Sequence, residues 1–210
     1  MWHRLTIVAF GDSLTVGYLS PTGEEEWPQP IPYTRFLRRK TENFLRNSGR
    51  SDLEVEFLNR GIVGELTADM VDRFGRDVIE IQPGAVIILG GSNDLGWGME
   101  PLSVVTNLKT MYDEALRNGI RPVSCTVPSV RGFDDGIRPR LQLNDLIKKC
   151  SGDRGIVCVD VFAATGDPAG RLKAEYSNDG LHLNAAGYEV MADAMFSDAV
   201  GTMISDWFQR

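Results

Sequence analysis

Ser13 stands just past an apolar run, Leu5-Thr6-Ile7-Val8-Ala9-Phe10, in the tetrapeptide Gly11-Asp12-Ser13-Leu14. A β-branched and aromatic run that stops at a glycine reads as a buried strand ending in a turn. Such a turn delivers a hydroxyl to the carboxyl end of a strand, where open parallel sheets keep their reactive groups. A serine alcohol is a weak nucleophile at neutral pH and needs a base within hydrogen-bond reach. The chain has two histidines. His3 precedes the first strand and is expected at the opposite end of the sheet from Ser13. His182 lies in Asp179-Gly180-Leu181-His182. In a tight turn the Asp179 carboxylate can reach that imidazole, fix its tautomer and stabilise the imidazolium. Acyl transfer also needs donors aimed at a developing oxyanion. Gly64, in Asn59-Arg60-Gly61-Ile62-Val63-Gly64, offers a backbone N–H that no side chain obstructs. Asn93, in Gly90-Gly91-Ser92-Asn93-Asp94, offers a side-chain amide, and Ser13 offers its own backbone N–H.

Each piece also has a plainer reading. Gly-Asp-Ser and Asp-Gly are turn formers, Asn-Asp after a strand is a helix cap, and a lone loop histidine is commonly a surface residue. Asp12 is expected to shape its turn and Asp94 to cap a helix or loop. Asp160, ending the last strand pattern, competes with Asp179 as the histidine's partner, and spacing favours Asp179. Position weighs against coincidence, because the first three segments each follow an apolar run.

Those runs define the elements that must hold the residues. Strand patterns occupy 5–10, 53–58, 85–89, 122–127 and 155–159. Val86-Ile87-Ile88-Leu89 is continuously apolar, as a parallel strand covered on both faces requires. Helical patterns fill 33–47, 67–81, 102–118 and 139–149, with a last helix from about 184 to 204. In that last helix Tyr188, Met191, Met195 and Met203 form a core stripe. Alternation of strand and helix implies one α/β domain over residues 1–210, with a parallel sheet, right-handed crossovers and helices on both faces. Residues 21–32, with Pro21, Pro28, Pro30 and Pro32, form a loop after the first strand, and its acidic triplet Glu24-Glu25-Glu26 reads as a solvated run.

Composition narrows the function classes. A net charge of −7 argues against a nucleic-acid binder, which needs a basic face. Three cysteines, an odd number without a Cys-x-x-Cys pair, argue against a disulfide framework and a cysteine zinc site. Cys125 falls inside a strand pattern and reads as a buried apolar residue. No apolar stretch approaches membrane-spanning length. The first strand begins almost at once, with no room for a secretory leader, so a cytoplasmic location is expected. No phosphate-binding Gly-Lys-Ser/Thr loop follows the first strand, which counts against a nucleotide-hydrolysing enzyme.

Taken in order, the four segments resemble the SGNH hydrolases, also called the GDSL esterase/lipase family. The resemblance runs from residue 5 to about 195. Ser13 matches the family's nucleophile, Gly64 and Asn93 its oxyanion residues, and Asp179 and His182 its acid and base. It implies a flavodoxin-like three-layer α/β/α sandwich with a five-stranded parallel sheet in the order 2-1-3-4-5. It also implies a serine hydrolase that cleaves carboxylic esters through an acyl-enzyme without a cofactor or metal. Short-chain acyl or acetyl esters of small molecules, sugars or lipids are the expected substrates. Alternatives are a thioesterase, lysophospholipase or acyltransferase on longer chains, and a non-catalytic flavodoxin-like binding module. Trp27, Trp97 and Phe133, in loops at the same sheet end, either bind substrate or only pack the loops down.

Overall fold

The computed structural model describes residues 3–22, 28–50 and 52–208. Five parallel strands form one sheet in the order β2-β1-β3-β4-β5. They are β1 (His3–Gly11), β2 (Leu53–Gly61), β3 (Ala85–Leu89), β4 (Arg121–Cys125) and β5 (Val157–Val159). The order matches the expected sandwich. β1 lies between β2 and β3, with Gly11 opposite both Gly61 and Leu89, so the chain leaves three strand ends side by side.

Alternation along β1 builds a core on each face of the sheet. Leu5, Ile7 and Ala9 join Ala85, Ile87 and Leu89 against α2 (Tyr33–Asn47) and α8 (Ala185–Met195). Val8, Phe10, Val86 and Ile88 point the other way, toward α3 (Thr67–Phe74), α5 (Pro101–Arg117) and α6 (Ile137–Gly152). Every residue of β3 has no exposed surface, which explains its unbroken apolar pattern. Tyr188, Met191, Met195 and Met203 all lie in the first core, and Cys125 is buried.

Several element boundaries differ from the sequence pattern. β2 continues past Leu58 to Gly61, while β4 stops at Cys125 and β5 is three residues long. The 67–81 helix is α3 followed by a wider turn over Gly75–Ile79, where Glu80 N–H reaches Gly75 O at 2.9 Å, five residues back. The last helix is likewise interrupted over Phe196–Val200 before α9 (Gly201–Trp207). Two short helices open at the Ser13 and Asn93 segments: α1 (Ser13–Val16) and α4 (Ser92–Gly96). A third, α7 (Val161–Thr165), follows β5.

Candidate active site

Asp12 starts α1 as its cap: Oδ1 accepts from Leu14 N–H at 2.9 Å. That puts Ser13 at the first helical position, 5% exposed, just beyond the end of β1. Gly17 closes the helix in a left-handed conformation, φ +82°, where a Cβ would lie 2.2 Å from Pro32 N. Ile31 N–H then donates to Gly17 O at 2.8 Å, so the far end of the proline-rich loop folds back onto this turn.

The second and third segments meet through one side chain. Asn93 Nδ2 donates to Glu65 O at 2.9 Å, which ties α4 to the loop after β2. A carbonyl can only accept, so the amide must present its NH2 there, and among the described residues its second N–H has no partner. Gly64, beside Glu65, is exposed with φ +77°, and a Cβ there would touch nothing within 4 Å. Its neighbourhood is open, as a substrate-facing N–H requires. Asp94 is fully buried and accepts from Thr67 N–H at 3.1 Å and Thr67 Oγ at 2.6 Å. It caps α3 rather than facing substrate, as its sequence context suggested.

The fourth segment is a tight turn. Asp179 Oδ1 accepts from Leu181 N–H at 2.8 Å and His182 N–H at 2.7 Å. Asp179 Oδ2 pairs with His182 Nδ1 at 2.8 Å and also accepts from Ser20 Oγ. Burial pushes the Asp179 carboxyl up. The hydrogen bonds from Ser20, His182 and the two backbone N–H groups outweigh it and hold the carboxyl well below the usual carboxylate range. An ionised Asp179 only accepts, so neutral His182 carries its proton on Nδ1 and leaves Nε2 able to accept one. Asp160 is engaged elsewhere, by Thr126 Oγ at 3.0 Å and Lys148 Nζ at 2.6 Å.

Tyr18 joins this turn to the Ser13 segment. Its N–H donates to Ser13 O at 3.0 Å, and its ring lies 4.6 Å from the His182 ring, centroid to centroid. Tyr188 Oη on α8 fixes Tyr18 by donating to its carbonyl at 2.9 Å. Among the described residues no hydrogen bond links Ser13 Oγ to His182. Such bonds are often long in a free enzyme and tighten with substrate.

Tyr18, Ser20 and Ser177 were not singled out from sequence. Ser177 Oγ donates to His182 O at 2.7 Å and accepts from Gly180 N–H at 2.9 Å. Nothing in a serine's local sequence announces a partner 159 positions away, as Ser20 has in Asp179. Of the candidate substrate residues, Trp97 is 79% exposed and Phe133 61%, so neither packs its loop down. Trp27 lies outside the described residues. The Arg131 guanidinium is taken up by Leu172 O and Asp167. Among the described residues, no group of three or more His, Cys, Asp or Glu is placed to hold a metal ion, and no helix is long and apolar enough to cross a membrane. A cavity of about 350 Å³ between Leu116, Arg121, Ile156, Val157 and Asp206 lies at the amino ends of β4 and β5, away from Ser13.

Known proteins share this fold. The model of the GDSL-like lipase/acylhydrolase family matches residues 9–190. The uncharacterized lipoprotein YqeF of Bacillus subtilis (strain 168) is 31% identical over 133 residues, 60% of this chain and 50% of that protein. The matched region thus spans about half the length of that curated relative. Among solved structures, the lipase/acylhydrolase from Enterococcus faecalis superposes with a TM-score of 0.75 at 25% identity, over 94% of this chain and 96% of that one. A mutant of an acetyl-xylooligosaccharide esterase from Geobacillus Stearmophilus gives 0.71 at 22% identity, over the same shares. At that identity the likeness concerns the fold alone. The family match covers most of the chain, including Ser13, Gly64, Asn93, Asp179 and His182, and the chain belongs to the GDSL-like lipase/acylhydrolase family.

Proposed function

We propose that this protein hydrolyses carboxylic esters through an acyl-enzyme on Ser13. His182 Nε2 takes the proton from Ser13 Oγ as the oxygen attacks the ester carbonyl. The Ser13 and Gly64 N–H groups and the free N–H of Asn93 stabilise the oxyanion. His182 then protonates the leaving alkoxide and activates the water that releases the acyl group. Asp179 holds the imidazole throughout. The observation that carries this reading is the 2.8 Å contact between Asp179 and His182 Nδ1 in a turn docked on the Ser13 segment through Tyr18.

Short acyl or acetyl esters are the first substrate class, in keeping with the acetyl esterase of the same fold. The exposure of Trp97 and Phe133 favours a second reading, in which longer acyl groups or thioesters dock on those rings. A single compact domain fits the shared sheet, and three free cysteines fit a reducing, cytoplasmic location. Cell fractionation tests the location.

Ser13→Ala tests the chemistry. Wild-type protein is expected to hydrolyse p-nitrophenyl acetate and to be labelled by a fluorophosphonate. The variant is expected to lose both activities while keeping its fold. Wild-type turnover in Ser13→Ala overturns the assignment, and absence of labelling in the wild type favours the binding-module alternative.

A further inference from the structure

Two buried charges behind the site have no part in the steps above. Arg73 on α3 is 7% exposed and Glu65 8%. Arg73 Nε donates to Glu65 Oε1 at 2.5 Å, and Nη2 also pairs with Glu65 Oε2, a bidentate fork. Nη1 reaches Asp77 Oδ2 at 3.0 Å, and the guanidinium lies 4.1 Å above the Phe10 ring. Buried ion pairs are weak devices for stability, because desolvation offsets most of the attraction. Their advantage is fixed geometry, so what this pair holds in place becomes the question.

Arg73 Nη2 donates to Gly11 O at 3.1 Å, two residues before the nucleophile. The same carbonyl accepts from Ile62 N–H at 3.0 Å, at the start of the Gly64 loop. Glu65, gripped by Arg73, supplies the carbonyl that accepts from Asn93 Nδ2. A continuous chain of contacts thus runs from the Ser13 turn through Arg73 and Glu65 to Asn93, with Gly64 next to Glu65. Ile62, Val63 and Gly64 are exposed, and nothing packs where a Gly64 Cβ would be. Van der Waals packing therefore cannot fix the Gly64 N–H, and its closest buried anchor along the chain is Glu65.

We propose that Arg73 is a positioning residue for ester cleavage: it locks the Gly64 loop and Asn93 to the end of β1, so that three separate donors converge on one oxygen. This rests on the reading of Ser13, Gly64 and Asn93 above. Lysine retains the charge but cannot make the fork to Glu65 and reach Gly11 O together. Arg73→Lys should loosen the donors without touching substrate, a transition-state defect seen in kcat rather than KM.

The test is a double-mutant cycle on p-nitrophenyl acetate with Arg73→Lys, Asn93→Ala and the pair, each checked for cooperative thermal unfolding. Arg73→Lys is expected to lower kcat about 10- to 100-fold with KM within about 3-fold, the cost of a small misplacement. Asn93→Ala is expected to cost about 100- to 1000-fold. In the Asn93→Ala background, Arg73→Lys should cost several-fold less than it does alone, because one of the donors it aligns is gone while the Gly64 N–H remains. A structural role predicts a lower melting temperature with unchanged kcat, or the same factor in both backgrounds, and either result overturns the proposal. If Arg73→Lys does not fold, Glu65→Gln, which keeps the backbone carbonyl and side-chain shape, enters the same cycle with the same expectations. Ser13→Ala runs alongside. If it is inactive while the cycle is additive, only the role of Arg73 fails; if it remains active, the site assignment fails and this proposal falls with it.

Discussion

Asp12 and Asp179 flank the same chemistry in opposite electrostatic conditions. Asp12 is 1% exposed; its Oδ1 caps α1, and among the described residues its Oδ2 has no hydrogen-bond partner. Burial pushes its carboxyl from 3.8 up to about 7; the Leu14 N–H pulls it down, while Asp94 and Glu65 push it further up. The native chain therefore retains a proton that the unfolded chain has lost between about pH 4 and pH 7. Stability contributed by this group falls as pH rises through that window, by roughly 4 kcal/mol at most. Asp179 has the opposite sign: its depressed carboxyl contributes stability above the ordinary 3.8, and that contribution is lost as pH falls through the depressed value. The two windows barely overlap, so the first can be isolated. Asp12→Asn keeps the cap acceptor and removes the titration. Urea unfolding of wild type and variant should give similar stabilities near pH 4, with the variant increasingly ahead toward pH 7. Parallel stability profiles would rule out a titrating, destabilising Asp12.

Elements place these residues through turns that tolerate few side chains. Gly180 lies between Asp179 and His182 at φ +78°, and a Cβ would sit 2.2 Å from Arg131 O. The same two residues are joined by a backbone hydrogen bond, Arg131 N–H to Gly180 O at 2.8 Å, which holds the turn against the loop after β4. Gly180→Ala must strain the left-handed conformation and also displace Arg131. Gly98 has φ +77° and open space around it, so Gly98→Ala isolates the conformational part. The expected costs are about 1–2 kcal/mol at Gly98 and more than that at Gly180. Only Gly180→Ala should also lower kcat, and equal effects of the two on stability and kcat would refute the docking role of the turn. The Asp-Gly pair was visible in the sequence because turn chemistry is local. The strands were visible for a similar reason: β1 and β3 are apolar on both faces, and burial on both faces needs no partner to be recognised. The interruption over Phe196–Val200 was not visible, because a change from four- to five-residue hydrogen bonding leaves the apolar stripe nearly in register. Pro139 obscured the start of α6, which begins at Ile137; within the first turn its missing N–H breaks no helical bond. Arg73 and Glu65 escaped notice because single charges on a helix and a loop read as surface until the fold buries both.

At the scale of the whole molecule, the sheet has a buried core on each face, and its carboxyl end carries exposed apolar side chains from several loops. Ile62 and Val63 precede Gly64, Trp97 and Met99 follow Asn93, and Leu181 adjoins His182. Phe133 stands two residues beyond Arg131, whose backbone is bonded to Gly180. All are at least 39% exposed, on a chain whose net charge is −7. Clustered apolar exposure marks a binding surface more often than scattered exposure does. It suits the acyl part of an ester better than a charged one, and it sets a test between the two substrate readings. If the rim receives acyl carbons, KM for p-nitrophenyl esters should fall from two to eight carbons. A fully buried methylene contributes about 0.8 kcal/mol, or roughly fourfold, so partial cover on an open rim should give about twofold per carbon. Trp97→Ala should flatten that series for the longer esters and leave kcat and the acetate KM nearly unchanged, the signature of uniform binding. A KM independent of chain length in the wild type would favour acetyl or similarly short esters, with Trp97 and Phe133 outside the acyl path.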